Sequence, residues 1–454
     1  MRQRKLHGAF GQGREVVVDR VDQLVAKLAA AFAVKIEIHT LKKTLQTAED
    51  LFRRPLRPSA VCISVSWQLP LNPQLATLSR SQLASKIEKE SVRWIGERVG
   101  WMGPFDGTFT SGGNEANFSG LALAIAHYFP TAIEEGLASL SEHPVLYASS
   151  EAHHSLDKSA GLLGLGRKAL RRVAVNRKLQ LDPAELEQAI AADKARGYRP
   201  FCVIATSGTT NSGALDDLET LAAICRQNNL WLHVDGAYGA AAIFSNKHRN
   251  LVRGIELADS ITIDPHKWLA MPFAAGVVLT SHPETLQQAF AVVTPYMPKV
   301  SGGAAPANLP DNFKVSAQWS RRMNSLKFWL TMRVHGRKAY EELIDRQLAL
   351  AADFGTWVRD SAHFELLTEP QLTIVNFRVR LPADEAAVAA ANAAVVEEVT
   401  RDGQRWISTT LANGRSVIRM MVISYLTGEP QLRALQQSLT TAAEKVLNSA
   451  AAVR

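Results

Sequence analysis

The chain has 454 residues, of which 46% are apolar and 21% charged, with a formal net charge of +8. That length is too great for one small core, so two or three structural units are expected. The balance is that of a soluble globular protein. No apolar run approaches the roughly 18 residues a membrane span needs, and the dispersed basic residues lack the interleaved aromatics of a nucleic-acid surface.

The start, MRQRKLHGAFGQGREVVVDR, is basic but has no apolar core of the signal-peptide kind. Cys62, Cys202 and Cys225 form no CxxC pair, which suits a reducing, cytoplasmic compartment and gives no metal-ligand spacing. Val17, Val21, Leu24, Leu28 and Phe32 recur at helical spacing and make one apolar stripe. Pro55, Pro58, Pro70 and Pro73 punctuate the following connection, and a second helix is expected over 81–99.

From about Phe109 strands alternate with helices. VLYASS, FCVIATS, LWLHVD, SITID and GVVLTS are the strand candidates, with helical segments at 182–196 and 218–228. Short apolar strands separated by helices indicate a mainly parallel sheet covered on both faces. A long helical run over 321–359 leads to a second section. There LTIVNFRVR and SVIRMMVIS flank helical segments, which reads as a smaller α/β domain.

Polar residues and glycines gather at the carboxyl ends of these strands, where open α/β sheets place ligands. In TFTSGGNEANFSG, Gly112 and Gly113 precede a helix starting near Asn114; this is either a phosphate seat or a plain turn. SSEAHHSLDKSAG carries His153 and His154, whose adjacency makes a shared metal an unsuitable reading. In ATSGTTNSGALDDL the hydroxyls either bind a ligand or form turns, and Asp216 or Asp217 caps the helix at Leu218. Asp235 ends the apolar strand in LWLHVDGAYG and needs a partner, either a structural arginine or a cationic ligand atom. Lys267, in ADSITIDPHKWLAMPFAAG, is either a desolvated nucleophile or a lysine snorkelling past Trp268. Taken together, a phosphate seat, a carboxylate, a histidine and an amine are the set that pyridoxal 5'-phosphate (PLP) requires.

These motifs, in this order and at this spacing, resemble those of the PLP-dependent group II amino-acid decarboxylases, the family of the aromatic-amino-acid, glutamate and diaminobutyrate enzymes. The resemblance is clear over Ser81–Tyr340 and looser beyond. It implies an α/β fold of the PLP-dependent transferase type I. That fold has an N-terminal helical segment (1–80), a large domain with a mainly parallel seven-stranded sheet (81–320) and a smaller C-terminal α/β domain (321–454). It also implies a homodimer with the active site at the subunit interface, the N-terminal stripe packing on the partner. Carried over by residue, Lys267 matches the lysine that holds PLP covalently and His266 the neighbouring active-site histidine. Asp235 matches the partner of the pyridine nitrogen, Ala237 the small residue beneath the ring, and His153 the histidine over its other face. Gly113 and Asn114 fall on phosphate-binding positions, and Thr210 on a threonine near the ring. The implied reaction is decarboxylation of an L-amino acid to its amine and CO2.

Two departures from the family pattern stand out. In YMPKVSGGAAPANLPDNFKVSAQWSRR, alignment on Arg321-Arg322 puts Phe313 near the position of the family's loop tyrosine, and the loop's only tyrosine is Tyr296. Because phenylalanine there accompanies oxidative chemistry in some relatives, an aldehyde synthase stands as an alternative. Another type I enzyme, a carbon–carbon lyase or an aminotransferase, is a further one. The segment before Ser81 is short and poorly matched. SNKHRNLVRGIELADS is similar to the glutamate and diaminobutyrate branch whereas DPHKW also occurs in aromatic decarboxylases, so the substrate stays open.

Overall fold

The structure, a computed structural model, describes residues 75–78, 81–295 and 310–452. The Val17–Phe32 stripe, the four prolines, Cys62 and Tyr296 lie outside the described residues. The chain divides into two compact units. Among the described residues, one takes in 92–293, 314–317 and 340–452; the other takes in 75–78, 81–91, 294–295, 310–313 and 318–339.

The first unit is built on a seven-stranded sheet. Its strands are β1 (Asp106–Thr110), β2 (His143–Ser149), β3 (Leu170–Val173), β4 (Tyr198–Thr206), β5 (Trp231–Asp235), β6 (Ser260–Ile263) and β7 (Gly276–Thr280), in spatial order β1-β7-β6-β5-β4-β2-β3. The pairings from β3 through β2, β4 and β5 to β6 are parallel, while β7 lies antiparallel to both β6 and β1. Every residue of β5, β6 and β7 is buried, as befits central strands covered on both faces.

Helices fill the crossovers. α1 (Gln82–Val99) precedes β1, α2 (Gly113–Tyr128) follows it, and α3 (Ser155–Leu162) follows β2. The helix α4 (Pro183–Ala195) starts where its chemistry dictates: Asp182 accepts from the N–H groups of Ala184 and Glu185, and Pro183 occupies the first turn. For α5 (Leu218–Asn228) the cap is Asp217, which accepts from Thr220, and Asn229 closes the helix in the left-handed conformation. Asp216 is not the cap; it is buried and accepts from the N–H groups of Thr206 and Leu181.

α2 is apolar nearly all round, with Ala116 through Ala126 buried except the half-buried Phe118, so it packs directly over the sheet. Leu121, Leu123 and Ile125 join Leu146, Phe201, Ile204 and Trp231 in the main core. The approach is close enough that a Cβ at Gly120 would lie 2.4 Å from Cε1 of His233.

A helical run, α6 (Ser325–Asp360), leads to the second sheet and is interrupted at Gly336, whose φ of 73° and ψ of 173° are not helical. It starts at Ser325, after Arg321-Arg322. The second sheet holds β8 (Phe364–Leu366), β9 (Ile374–Val379), β10 (Ser408–Ala412) and β11 (Arg415–Met421), antiparallel in the order β10-β11-β9-β8. Phe354 and Val358 of α6, Val395 of α7 (Glu385–Thr400) and Leu435 and Leu439 of α8 (Glu429–Ala452) pack on Phe364, Val375 and Phe377.

Within the other unit, Arg321 grips the Glu88 carboxylate bidentately at 2.6 and 3.0 Å, both side chains being buried. Phe313 is also buried, donates its N–H to Ala76 O and stacks on Trp319 with centroids 4.6 Å apart.

β1, β3, β8 and β10 were not expected from the sequence. DGTFT and STTLA are short and hydroxyl-rich, and LRRV holds two arginines, so none shows an apolar run. Gly120→Ala is expected to cost about 1–3 kcal/mol through overpacking against His233. The urea midpoint measures it, and an unchanged midpoint would mean that α2 can move away from the sheet.

Candidate active site

The carboxyl ends of β4, β5 and β6 deliver Thr206–Thr210, Asp235–Tyr238 and Asp264–Lys267 to one side of the sheet. The N-terminal turns of α2 bring Gly113, Asn114 and Asn117, and the loop after β2 brings His153. Gly113, Asn114, Asn117 and His153 line one cavity with Thr206, Gly208, Thr210, Asp235, Ala237, Tyr238, Asp264 and Lys267, and its atom-free space of about 430 Å3 includes the open mouth. Lys267, Asp235, His153, Ala237, Gly113, Asn114 and Thr210 are thus brought together, and of the expected residues His266 alone does not line it.

Asp235 is 5% exposed. Its Oδ2 accepts from Asn117 Nδ2 at 2.9 Å and its Oδ1 from the Ala237 N–H at 3.2 Å, so its partners among the described residues are neutral donors, with no arginine. Asn117 was missed in the sequence, although its place one helical turn beyond Gly113 puts it on the same face. The residue behind it, His233, is fully buried, and that burial pulls its imidazole down to about 4.

Lys267 sits in the turn after β6, where its N–H reaches Asp264 O at 2.9 Å. Its Nζ lies 3.2 Å from Asp264 Oδ2, and the side chain keeps 38% of its exposure. The lysine is therefore ion-paired at a cavity wall rather than desolvated among its apolar neighbours. Trp268 points the other way, is fully buried and donates its indole N–H to Gln347 at 2.7 Å. Burial pushes the Asp264 carboxyl up, with Lys267 and His266 opposing. His266 has Nδ1 2.6 Å from Ala275 O and Nε2 3.7 Å from Asp264 Oδ2, so it braces the lysine turn against the strand that follows.

His153 is exposed on one side, and its Nδ1 accepts the Ser155 N–H at 3.1 Å. Partial burial lowers its imidazole from the ordinary histidine range, with Asp235 opposing. A neutral ring accepting at Nδ1 carries its proton on Nε2. Arg172 holds this loop by donating to Ser149 O, Ala152 O and Asp157. His154 points elsewhere, with a side chain 95% exposed. The Thr210 carbonyl accepts from Arg419 of β11 at 2.8 Å, and the Tyr238 hydroxyl meets Thr373. Burial pushes the Tyr238 phenol up to about 12.

This cavity suits a phosphorylated pyridine aldehyde. The N-terminus of α2 is capped by no side chain, since its cap residue is Gly112. A Cβ at Gly113 would fall 2.6 Å from Asp264 Oδ2, which leaves glycine alone able to line that wall. Thr206 Oγ1 and Asp264 Oδ1 are buried in residues of the cavity wall without a hydrogen-bond partner among the described residues, which leaves polar valence for a ligand. Among the described residues no cluster of histidine, cysteine and carboxylate side chains could hold a metal ion.

Residues 70–380 match the conserved domain of the pyridoxal-dependent decarboxylases. The chain belongs to that family. Its cofactor is PLP, and its reaction class is the decarboxylation of an amino acid. The aromatic-L-amino-acid decarboxylase of Bacillus atrophaeus is 33% identical over 80% of this chain and 74% of its own length. The acidic amino acid decarboxylase GADL1 of Bos taurus is 34% identical over 68% of this chain, but the match spans only 58% of the bovine protein. The crystal structure of mouse CSAD superposes with a TM-score of 0.79 at 28% identity, over 86% of this chain and 82% of that one. These matches join the fold to the decarboxylase family.

The buried histidine makes the stability of this decarboxylase depend on pH. A group whose folded value falls from about 6.5 to about 4 stabilises the fold fully above 6.5, and that stability is lost as the pH falls towards 4. Asp216, pushed up to about 6 by burial, has the opposite slope over much of the same window. The comparison is therefore between wild type and His233→Gln, in which Asp216 cancels. Their difference in unfolding free energy is expected to shrink by on the order of 3 kcal/mol from pH 7 to pH 4. A constant difference in urea titrations would mean that His233 takes up its proton without cost.

Proposed function

We propose that this decarboxylase converts an L-amino acid to its amine and CO2, with Lys267 holding PLP and Asp235 serving its ring nitrogen. The observation that carries this reading is that the Lys267 amine and the Asp235 carboxylate open onto one cavity, beside the uncapped N-terminus of α2. Bound PLP supplies an aldehyde for amine capture and a ring that accepts the electrons freed when CO2 leaves. Lys267 supplies the tethering amine, and Asp264 beside it keeps a negative charge near that amine. Asp235 keeps a proton on the ring nitrogen, because a carboxylate held only by neutral donors stabilises a cation that meets it. Gly113 and Asn114 seat the phosphate, Ala237 leaves room for the ring, and Thr210 borders it. His153 covers the other face of the ring, while His266 braces the Lys267 turn.

The substrate class follows the relatives: an acidic or an aromatic amino acid, as their names indicate. We place the enzyme in the cytoplasm as a homodimer. The thiols of Cys202 and Cys225 are free, and no described helix is long and apolar enough to cross a membrane. Phe273, packed on His266 yet 81% exposed, offers an apolar surface beside the site.

The oxidative alternative is favoured by one observation: Phe313, buried and stacked on Trp319, has no hydroxyl with which to return a proton. Incubation with the common amino acids plus ornithine, diaminobutyrate and DOPA decides between them. One amine per CO2 with no peroxide is expected, and equimolar peroxide, ammonia and aldehyde would establish the synthase. Asp235→Ala is expected to fold and lose roughly a hundredfold or more in turnover, because the electron sink weakens. Near-normal turnover would remove Asp235 from its role. Lys267→Ala is expected to lose the visible absorption band that PLP gives with wild type, and an unchanged band that survives borohydride would contradict the tether.

A further inference from the structure

Behind Asp235 a line of buried side chains runs away from the cavity. Trp231 Nε1 lies 2.8 Å from Ser260 Oγ, and Ser260 Oγ lies 2.8 Å from His233 Nδ1. His233 Nε2 lies 3.1 Å from Asn117 Oδ1, and Asn117 Nδ2 lies 2.9 Å from Asp235 Oδ2. The Thr262 hydroxyl is a longer neighbour of the same His233 nitrogen, at 3.4 Å. Trp231, Ser260, His233 and Asn117 are each no more than 1% exposed, so water does not complete these bonds.

The protons in this line can be assigned from both ends. An indole N–H only donates, so Ser260 Oγ accepts from Trp231. If His233 Nδ1 also donated to that oxygen, the serine hydroxyl hydrogen would be buried with no partner among these contacts. Ser260 therefore donates to a bare Nδ1. A neutral imidazole with a bare Nδ1 carries its proton on Nε2, and this N–H is given to Asn117 Oδ1. The carbonyl of Asn117 being engaged, its NH2 faces Asp235, which must accept. Reversing the asparagine would require a protonated Asp235, the other histidine tautomer and an unpartnered serine hydroxyl.

We infer that Trp231, Ser260, His233 and Asn117 form a one-way hydrogen-bond relay that holds Asp235 as a pure acceptor towards the cavity, with His233 the positioning residue at its centre. This rests on the reading of Asp235 as partner of the ring nitrogen and adds what keeps it in the required state. The relay also explains Gly120: the imidazole occupies the space where any larger residue of α2 would put its Cβ.

The test uses the full-length protein in apo form and two readouts that do not depend on turnover. Nitrogen-15 NMR of labelled histidine, assigned by loss of the signal in His233→Gln, is expected to show His233 as the Nε2–H tautomer. In Ser260→Ala the Nε2–H form is expected to persist, since Asn117 Oδ1 still accepts from Nε2 and an Nδ1–H would have lost its acceptor. In PLP titrations followed by fluorescence, His233→Phe is expected to weaken binding about tenfold, the scale of one lost hydrogen bond to a buried acceptor. His233→Gln, whose amide can donate to Asn117, is expected to restore most of that loss. An Nδ1–H tautomer in wild type overturns the relay. So does equal binding by the Phe and Gln variants, whether both match wild type or both are weakened. If His233→Phe does not fold, the tautomers of wild type and Ser260→Ala decide. An Asp235→Ala protein that binds PLP and turns over like wild type overturns the reading of Asp235 alone, since the tautomer of His233 does not depend on that role.

Discussion

A carboxylate taken almost wholly out of water governs how this fold is put together. An unpartnered charge in Asp235's position would cost several kcal/mol, and cationic side chains are not what the protein sets against it. Two neutral N–H groups meet it instead, one from the Asn117 side chain and one from the backbone of Ala237. The charge is thereby solvated by dipoles while its demand for a cation is left unmet, and this is the state from which it can act on a ligand. To supply those dipoles α2 has to lie almost in backbone contact with the sheet. The small residues along it, Gly113 and Gly120 among them, follow from that distance. The site and the core are thus one packing problem: the helix whose N-terminus lines the cavity also carries the amide that steadies the carboxylate.

The parts of the fold readable in the sequence were those whose burial leaves an apolar record. The strands around Val203, Val234, Ile261 and Val278 are covered on both faces and announce themselves as short, largely apolar stretches. The edge strands are different. β1, β3 and β10 spend their side chains on hydroxyls, glycine and arginines, and their existence depends on hydrogen bonds to a neighbour that local pattern does not name. The antiparallel setting of β7 was equally silent, because strand direction is decided by connection length and not by composition.

In the site, legibility followed position along the strands. Asp235 and Lys267 stood out because each is a charge at the end of an apolar run, and the structure brings both to the cavity. The apolar flanks of Lys267 suggested desolvation, yet consecutive residues in a turn point apart: Trp268 takes the core and Lys267 the ion pair with Asp264. His266 looked equivalent to its neighbour for the same reason and is turned away from the cavity lining. Asn117 and Ser260 were illegible because their roles lie in a partner more than twenty residues distant, for which neither spacing nor residue type gives a signal.

The spatial order of the large sheet carries a consequence for how the protein comes into being. β1 has a single neighbour in the sheet, β7, and β7 is the last of the seven strands to be made. The segment that leads into the glycine pair therefore leaves the ribosome early and has no strand to pair with until residue 280 has followed it. Gly276 sharpens the dependence, for its missing side chain is what lets the backbone of Gly112 settle alongside. The cavity wall at Gly113 is completed last, by a contact between distant parts of the chain, and slow, all-or-none assembly is the expected price of that topology. A nascent chain that stops short of β7 holds the lysine and the aspartate but has no finished place for the cofactor between them.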